Sequence, residues 1–196
     1  MNFKISVLCV LFSSLAFAQT SVSGYVFEDT NGNAVKDKKE KGISSVAVSN
    51  GIEVTLTDKN GRYALPVYGD HTIFVIKPAD YRTKTDANNL PKLYHHHKPN
   101  ASPADFKYKG TAPTGKLPAE VNFALYSTKE NKDFQILVFG DPQPYTLKEI
   151  DYFRRGIINE VKNNRKNAVF GISLGDLVGD DLSLHPHYIA AVKELG

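Results

Sequence analysis

The stretch Gly171-Ile-Ser-Leu-Gly-Asp-Leu-Val-Gly-Asp-Asp181 decides how the last third of the chain folds. The apolar run from Ala168 to Leu174 predicts a buried strand, and Gly175 ends it in a turn that delivers Asp176 to the strand's carboxyl end. In open α/β sheets ligands bind at that end, because side chains leave the core there and meet solvent. An earlier run, Phe134 to Phe139, predicts a second buried strand that ends in the same way, in Gly140-Asp141-Pro142-Gln143. Between the two, Leu147, Ile150, Phe153, Ile157 and Val161 recur at helical spacing, which predicts a helix from Leu147 to Asn163. Thr146-Leu-Lys-Glu149 is a capping box at its start. The order β-α-β implies parallel strands and a right-handed crossover. Two acids at neighbouring strand ends, Asp141 and Asp176, predict a metal site. A last helix is expected from His187 to Leu195. Parallel sheets are buried on both faces, so two strands do not make a domain, and residues 133–196 are expected to be an incomplete α/β domain.

Upstream the pattern is different. Residues 19–126 read as an all-β domain with short strands rich in Val, Ile, Thr, Tyr and Phe. The expected strands are Ser21 to Phe27, Val46 to Val48, Glu53 to Thr57, Tyr63 to Pro66, Thr72 to Ile76 and Val121 to Leu125. Asp58-Lys-Asn-Gly61 is the clearest turn, since Asn-Gly readily takes positive φ. Regular short strands with such turns predict a β-sandwich. Residues 78–120 carry Pro78, Pro91, Pro99, Pro103, Pro113 and Pro118, and read as an extended, loop-like excursion that serves a function or wraps the next domain. Residues 127–132, polar and charged, are the expected linker.

The first 18 residues have the parts of a secretory signal: Lys4, the apolar run Ile5 to Phe17, and Ala16-Phe17-Ala18 as the cleavage site. The run is shorter than the roughly 18 apolar residues of a membrane span. A secreted or periplasmic chain beginning at Gln19 is expected, with no span after cleavage. Cys9 is the only cysteine and lies inside that signal, which removes disulfides and cysteine-ligated zinc from consideration. The formal net charge of +3 is too weak a bias to argue for a nucleic-acid partner.

Asp29-Thr-Asn31-Gly-Asn33-Ala-Val35-Lys-Asp37-Lys-Lys-Glu40 has the spacing of a twelve-residue calcium loop. Asp29, Asn31, Asn33 and Asp37 stand at loop positions one, three, five and nine, Val35 would offer its carbonyl, and Glu40 closes the loop. A hard cation takes six to eight oxygens, and this spacing folds them around one point. Ala34 stands where such loops place glycine, with Gly32 two residues earlier. Residues 29–43, with Val46-Ala-Val48 and Thr57-Asp-Lys-Asn-Gly-Arg-Tyr63, resemble the B-type repeat domains of bacterial surface adhesins. That resemblance implies a prealbumin-like sandwich holding Ca2+ in this loop.

Gly140-Asp141-Pro-Gln143 and Gly175-Asp176-Leu-Val-Gly-Asp180 resemble the first two motifs of calcineurin-like metallophosphoesterases. The layout, together with Tyr94-His-His-His97-Lys-Pro99 and Pro113-Thr-Gly115-Lys-Leu-Pro118, is similar to a secreted bacterial branch of that family. The resemblance implies two divalent metals of the Mn, Fe, Zn or Mg class, with Asp141 on the first and Asp176 bridging both. It also implies a phosphate-ester substrate. The chemistry implied is in-line attack on the ester, with two ions about 3.5–4 Å apart stabilising the attacking and leaving oxygens. Gln143 stands where the family has histidine; its neutral amide oxygen favours harder ions such as Mn2+ or Mg2+. The family's Gly-Asn-His motif and its later histidine motifs do not occur in this sequence. No catalytic residue is assigned within the chain, and the chain is expected to be inactive alone. The competing expectation is a secreted, calcium-stabilised β-sandwich that binds or builds without catalysis.

Other polar residues have plainer readings. Asp180 and Asp181 read as solvated loop acids, and His185 and His187 as surface or capping residues. His95, His96 and His97 point to alternate faces of an extended chain, so packing or hydrogen bonding is expected of them before metal ligation.

Overall fold

The computed structural model describes residues 21–108, 110–165 and 167–196. The signal expected over residues 1–18 lies outside them. The described strands, in chain order, are β1 (Ser21–Glu28), β2 (Ala47–Ser49), β3 (Val54–Leu56), β4 (Arg62–Pro66), β5 (His71–Val75), β6 (Tyr81–Arg82), β7 (Tyr94–His97), β8 (Phe123–Ser127), β9 (Gln135–Phe139) and β10 (Ala168–Ser173). Three helical pieces, α1 (Leu147–Tyr152), α2 (Asn159–Asn164) and α3 (His185–Lys193), accompany β9 and β10.

The first eight strands form two four-stranded sheets, ordered β4-β1-β8-β6 and β3-β2-β5-β7. β1 runs antiparallel to β4 and parallel to β8. The second sheet is antiparallel throughout. Both sheets contribute to one apolar cluster. Val22, Val26, Tyr63, Leu65, Phe123 and Leu125 come from the first, and Val48, Ile73 and Val75 from the second. Alternation along each strand sends these residues to the shared side, and burying an aliphatic side chain such as Ile73 or Leu125 stabilises the fold by roughly 1.5–3 kcal/mol. The Asp58–Gly61 turn carries the chain from one sheet to the other. Gly61 donates to the Asp58 carbonyl at 2.9 Å and takes φ +77°. A Cβ there would lie 2.4 Å from the Val26 carbonyl oxygen, so glycine is required for space as well as for conformation.

The proline-rich excursion is less loop-like than its composition implies. β6 and β7 lie within it, each at one edge of a sheet. β7 pairs with β5 in the register His71↔His97, Thr72↔His96 and Ile73↔His95. Prolines end such segments but do not forbid short ones between them, and both strands avoid proline.

β9 and β10 pair in parallel, as the β-α-β order requires. They are not the buried strands that their apolar runs imply. The helices cover one side, where Phe139 meets Phe153 edge-on at 5.8 Å and Phe153 stacks on Tyr188 at 5.5 Å. On the other side Ile136, Val138, Phe170 and Ile172 are 43–53% exposed, because no described element packs there.

The helix after β9 begins where its capping box predicts, although Glu149 reaches back past Thr146 to the Tyr145 N–H. Thr146 Oγ1 accepts from the Glu149 N–H at 3.2 Å, and the Glu149 carboxylate accepts from the Tyr145 N–H at 2.6 Å. Between α1 and α2, Phe153–Ile158 winds as a π-helix, with the Asn159 N–H reaching back to the Arg154 carbonyl. That wider turn shifts the phase of the apolar stripe. Ile158 is fully buried and Ile157 is exposed, the reverse of the helical spacing read from sequence.

Candidate functional site

β9 and β10 deliver their ends to one edge of the two-stranded sheet. Ser173 pairs with Phe139, and the Leu174 N–H donates to the Phe139 carbonyl at 2.9 Å, so Gly140-Asp141 and Gly175-Asp176 leave the sheet side by side. Backbone hydrogen bonds then tie the two loops together. The Gln143 N–H donates to the Asp176 carbonyl at 2.8 Å, and the Gly179 N–H donates to the Pro144 carbonyl at 2.9 Å. Gln143 has φ +33° and Asp176 φ +43°. Neither is glycine, so each occupies a left-handed conformation that costs on the order of 1 kcal/mol or more and that clusters at functional sites. The loops thus bring Gln143 and Asp176 into direct backbone contact, with Asp141 and Asp176 both exposed at the sheet edge.

Asp141, Gln143 and Asp176 could offer two carboxylates and one amide oxygen at this edge. That chemistry fits a hard divalent ion in part, through Asp141, Gln143 and Asp176. Among the described residues, no group of three or more His, Cys, Asp and Glu side chains could hold a metal ion.

Neighbouring polar residues keep structural partners. Asp181 caps the short 3-10 turn Leu182–Leu184, its carboxylate accepting from the Ser183 N–H at 2.9 Å. Those bonds to Ser183 hold the Asp181 carboxyl below the usual carboxylate range. His185 and His187 lie in the first turn of α3, whose start carries no side-chain cap bond. A surface placement therefore describes them and a capping role does not. Tyr188 bonds Ser173 at 3.0 Å, and burial pushes its phenol up. An apolar cleft of about 370 Å3 lies between β9, β10, α3 and Asn88–Leu90, and its lining does not include Asp141, Gln143 or Asp176.

The Asp29–Glu40 loop folds around its own acids. Asp29 and Glu40 are both buried. Asp29 accepts from the Gly32 N–H at 2.6 Å, the Ala34 N–H at 2.7 Å and the Tyr126 hydroxyl at 2.7 Å. Burial works against the Asp29 charge, but the Tyr126 hydroxyl and these N–H groups outweigh it and hold the carboxyl below its ordinary range. Burial and the Asp29 bond push the Tyr126 phenol up to about 12. Asn31 Oδ1 accepts from the Asn33 N–H at 3.0 Å, and Asn33 Oδ1 from the Val35 N–H at 2.7 Å. Asp37 accepts from both asparagine amides, and Glu40 from the Thr30 and Asp37 N–H groups. Ala34 has φ +61°, so it adopts the left-handed turn for which such loops use glycine.

Two residues at these loops carry no sequence motif, Tyr126 on Asp29 and Tyr108 on the loop after Asp176. The Tyr108 hydroxyl donates to the Asp180 carbonyl at 2.7 Å. Each is a tyrosine far away in sequence, and only the fold brings it near.

Residues 28–112 match the family model described as the N terminal of calcineurin-like phosphoesterase. The match supports that family for this part of the chain and does not reach Asp141 or Asp176. The chain is also 42% identical over 77 residues to serine-aspartate repeat-containing protein F of Staphylococcus epidermidis strain ATCC 12228 / FDA PCI 1200, an alignment covering 35% of this chain and 5% of that protein. The protein of the same name from Staphylococcus epidermidis matches equally over 4% of its length. The chain therefore spans about a twentieth of these relatives. The solved structure of the major plantain pollen allergen Pla l 1 aligns with a TM-score of 0.33 at 16% identity, covering 59% of this chain and 100% of that one.

Proposed function

We propose that this chain serves metal-dependent hydrolysis of a phosphate ester, with Asp141 and Asp176 as carboxylate metal ligands and Gln143 as a neutral oxygen ligand. The observation that carries the reading is the pair of left-handed, non-glycine residues Gln143 and Asp176, joined by one backbone hydrogen bond at the ends of paired parallel strands. The family match over residues 28–112 supports the same reading from the other end of the chain. Divalent ions held at this edge would act as Lewis acids on the phosphoryl oxygens. The chain's own part is to fix the two carboxylates at the sheet edge and to offer the amide oxygen beside them. Three oxygen ligands are too few for two ions, so residues 19–196 alone are expected to bind one ion weakly and not to turn over p-nitrophenyl phosphate. Calorimetric titration with Mn2+ tests the assignment. Asp141→Asn and Asp176→Asn should each weaken binding at least tenfold, and unchanged binding in both would refute it.

The β region supports a second reading, a calcium-stabilised module of the prealbumin-like sandwich type. Ala34 at φ +61° and the Asx turns at Asn31 and Asn33 favour it, because they give the loop a calcium-loop path before any ion binds. Thermal unfolding with Ca2+ and with chelator decides it: a higher midpoint with Ca2+ is expected, and equal midpoints would remove calcium from the account. Lys4, the apolar run and Ala16-Phe17-Ala18 support a working protein in the periplasm or outside the cell.

A further inference from the structure

The segment from Gly175 to Asp180 is held at three backbone points. Two are local to the sheet edge: the Asp176 carbonyl, bonded by the Gln143 N–H, and the Gly179 N–H, bonded to the Pro144 carbonyl. The third is the Asp180 carbonyl, which accepts from the Tyr108 hydroxyl 72 residues upstream in the proline-rich excursion. At Gly179 the loop lies against the ring of Tyr145, where a Cβ would come within 2.4 Å of a ring carbon, so the close approach has room for glycine only. The Asp181 carboxylate accepts from the Ser183 N–H and also interacts with the Tyr108 hydroxyl and the Lys107 ammonium. Gly175 takes φ +128°, a backbone that side chains rarely adopt, and Asp176 is the next residue. A hydroxyl that fixes the Asp180 carbonyl therefore limits how far the Asp176 carboxylate can swing.

The excursion meets the C-terminal region a second time. The Asn89 side-chain amide approaches the Lys193 carbonyl at the end of α3, at 3.5 Å. Beside the tyrosine, the Lys107 ammonium lies 5.0 Å from the Tyr108 ring centroid and is attracted by the Asp180 and Asp181 carboxylates. Charge attraction and a directed hydroxyl thus converge on the same loop.

We infer that Tyr108 is a positioning residue for the metal-ligand loop, acting through the Asp180 carbonyl to hold Asp176 and so coupling ion binding at the sheet edge to the β region. The inference rests on the reading of Asp176 as a metal ligand. It predicts that loss of one exposed hydroxyl alters ion affinity at a residue it does not touch.

The test uses the full chain, isotopically labelled, as wild type, Tyr108→Phe and Asp176→Asn. Two quantities are read by NMR: Mn2+ affinity from paramagnetic broadening at residues 140–143 and 175–177, and amide exchange at Leu177 to Asp181. Tyr108→Phe should weaken Mn2+ binding about threefold to tenfold, in line with the net worth of one hydrogen bond, and speed exchange across the loop to a similar degree. Exchange in β1, β4 and β5 should stay as in wild type. Asp176→Asn should abolish the broadening without faster exchange. Wild-type affinity and exchange in Tyr108→Phe would overturn the positioning role while leaving Asp176 a ligand. Unaltered broadening in Asp176→Asn would overturn the site itself, and this inference with it. Faster exchange with unchanged affinity would reduce Tyr108 to a structural tether and also overturn the inference.

Discussion

Ala34, Gln143 and Asp176 share one property that their side chains do not announce: each adopts a left-handed backbone without being glycine. At Ala34 the sequence points to the conformation, because the calcium-loop spacing calls for glycine there. At Gln143 nothing in the sequence does, and at Asp176 the residue type tolerates positive φ without requiring it. The Asp141 and Asp176 positions were legible from the apolar runs before them; their backbone coupling was not. Relief of this strain is measurable at the exposed position. Ala34→Gly should raise stability by roughly 1 kcal/mol, the cost of an alanine Cβ in that region, less what glycine gains in the unfolded chain. Chemical denaturation with fitted midpoints checks it; a lower midpoint would mean that Ala34 sits in its turn without strain.

At the scale of elements, strand existence followed the apolar pattern and helix phase did not. β1, β4 and β5 fall within a residue or two of the expected positions because Val, Ile, Phe and Tyr alternate there. β7 was not legible, since Tyr94-His-His-His97 has no apolar alternation and owes its pairing to β5. The π segment Phe153–Ile158 was equally hidden, because one added backbone position leaves no mark on the sequence yet moves burial from Ile157 to Ile158. Gly156 lies inside it with open space around its would-be Cβ. Gly156→Ala should therefore stabilise the helix by about 0.5–1 kcal/mol, read by thermal unfolding. β7 makes stability depend on pH. Burial, then the neighbouring charges of His97 and His96, depress His95 below the ordinary imidazole value of 6.5. A histidine depressed in the folded state binds its proton more readily once unfolded. Its contribution is complete above pH 6.5 and is lost as pH falls through the folded value. His95→Gln should flatten the stability profile over that window, measured by urea unfolding at a series of pH values.

The whole molecule joins a β region with a shared two-sheet core to a smaller α/β region whose parallel pair is covered on one side. The β-α-β order gave the parallel pairing. The partly uncovered sheet was hidden, because an apolar run carries no record of what packs on it. Also hidden was the way the excursion places Tyr108 and Asn89 on the C-terminal region, since hydroxyl and amide contacts over such separations depend on the assembled fold. The two regions matter together only if the sheet edge binds an ion. The most direct measurement is the site-resolved effect of Mn2+ on the amide spectrum of the labelled chain, with Ca2+ present to occupy the Asp29–Glu40 loop. The account predicts broadening centred on Gly140 to Gln143 and Gly175 to Leu177, lost in Asp141→Asn. Broadening confined to residues 29–40, or spread over surface acids without focus, would contradict it.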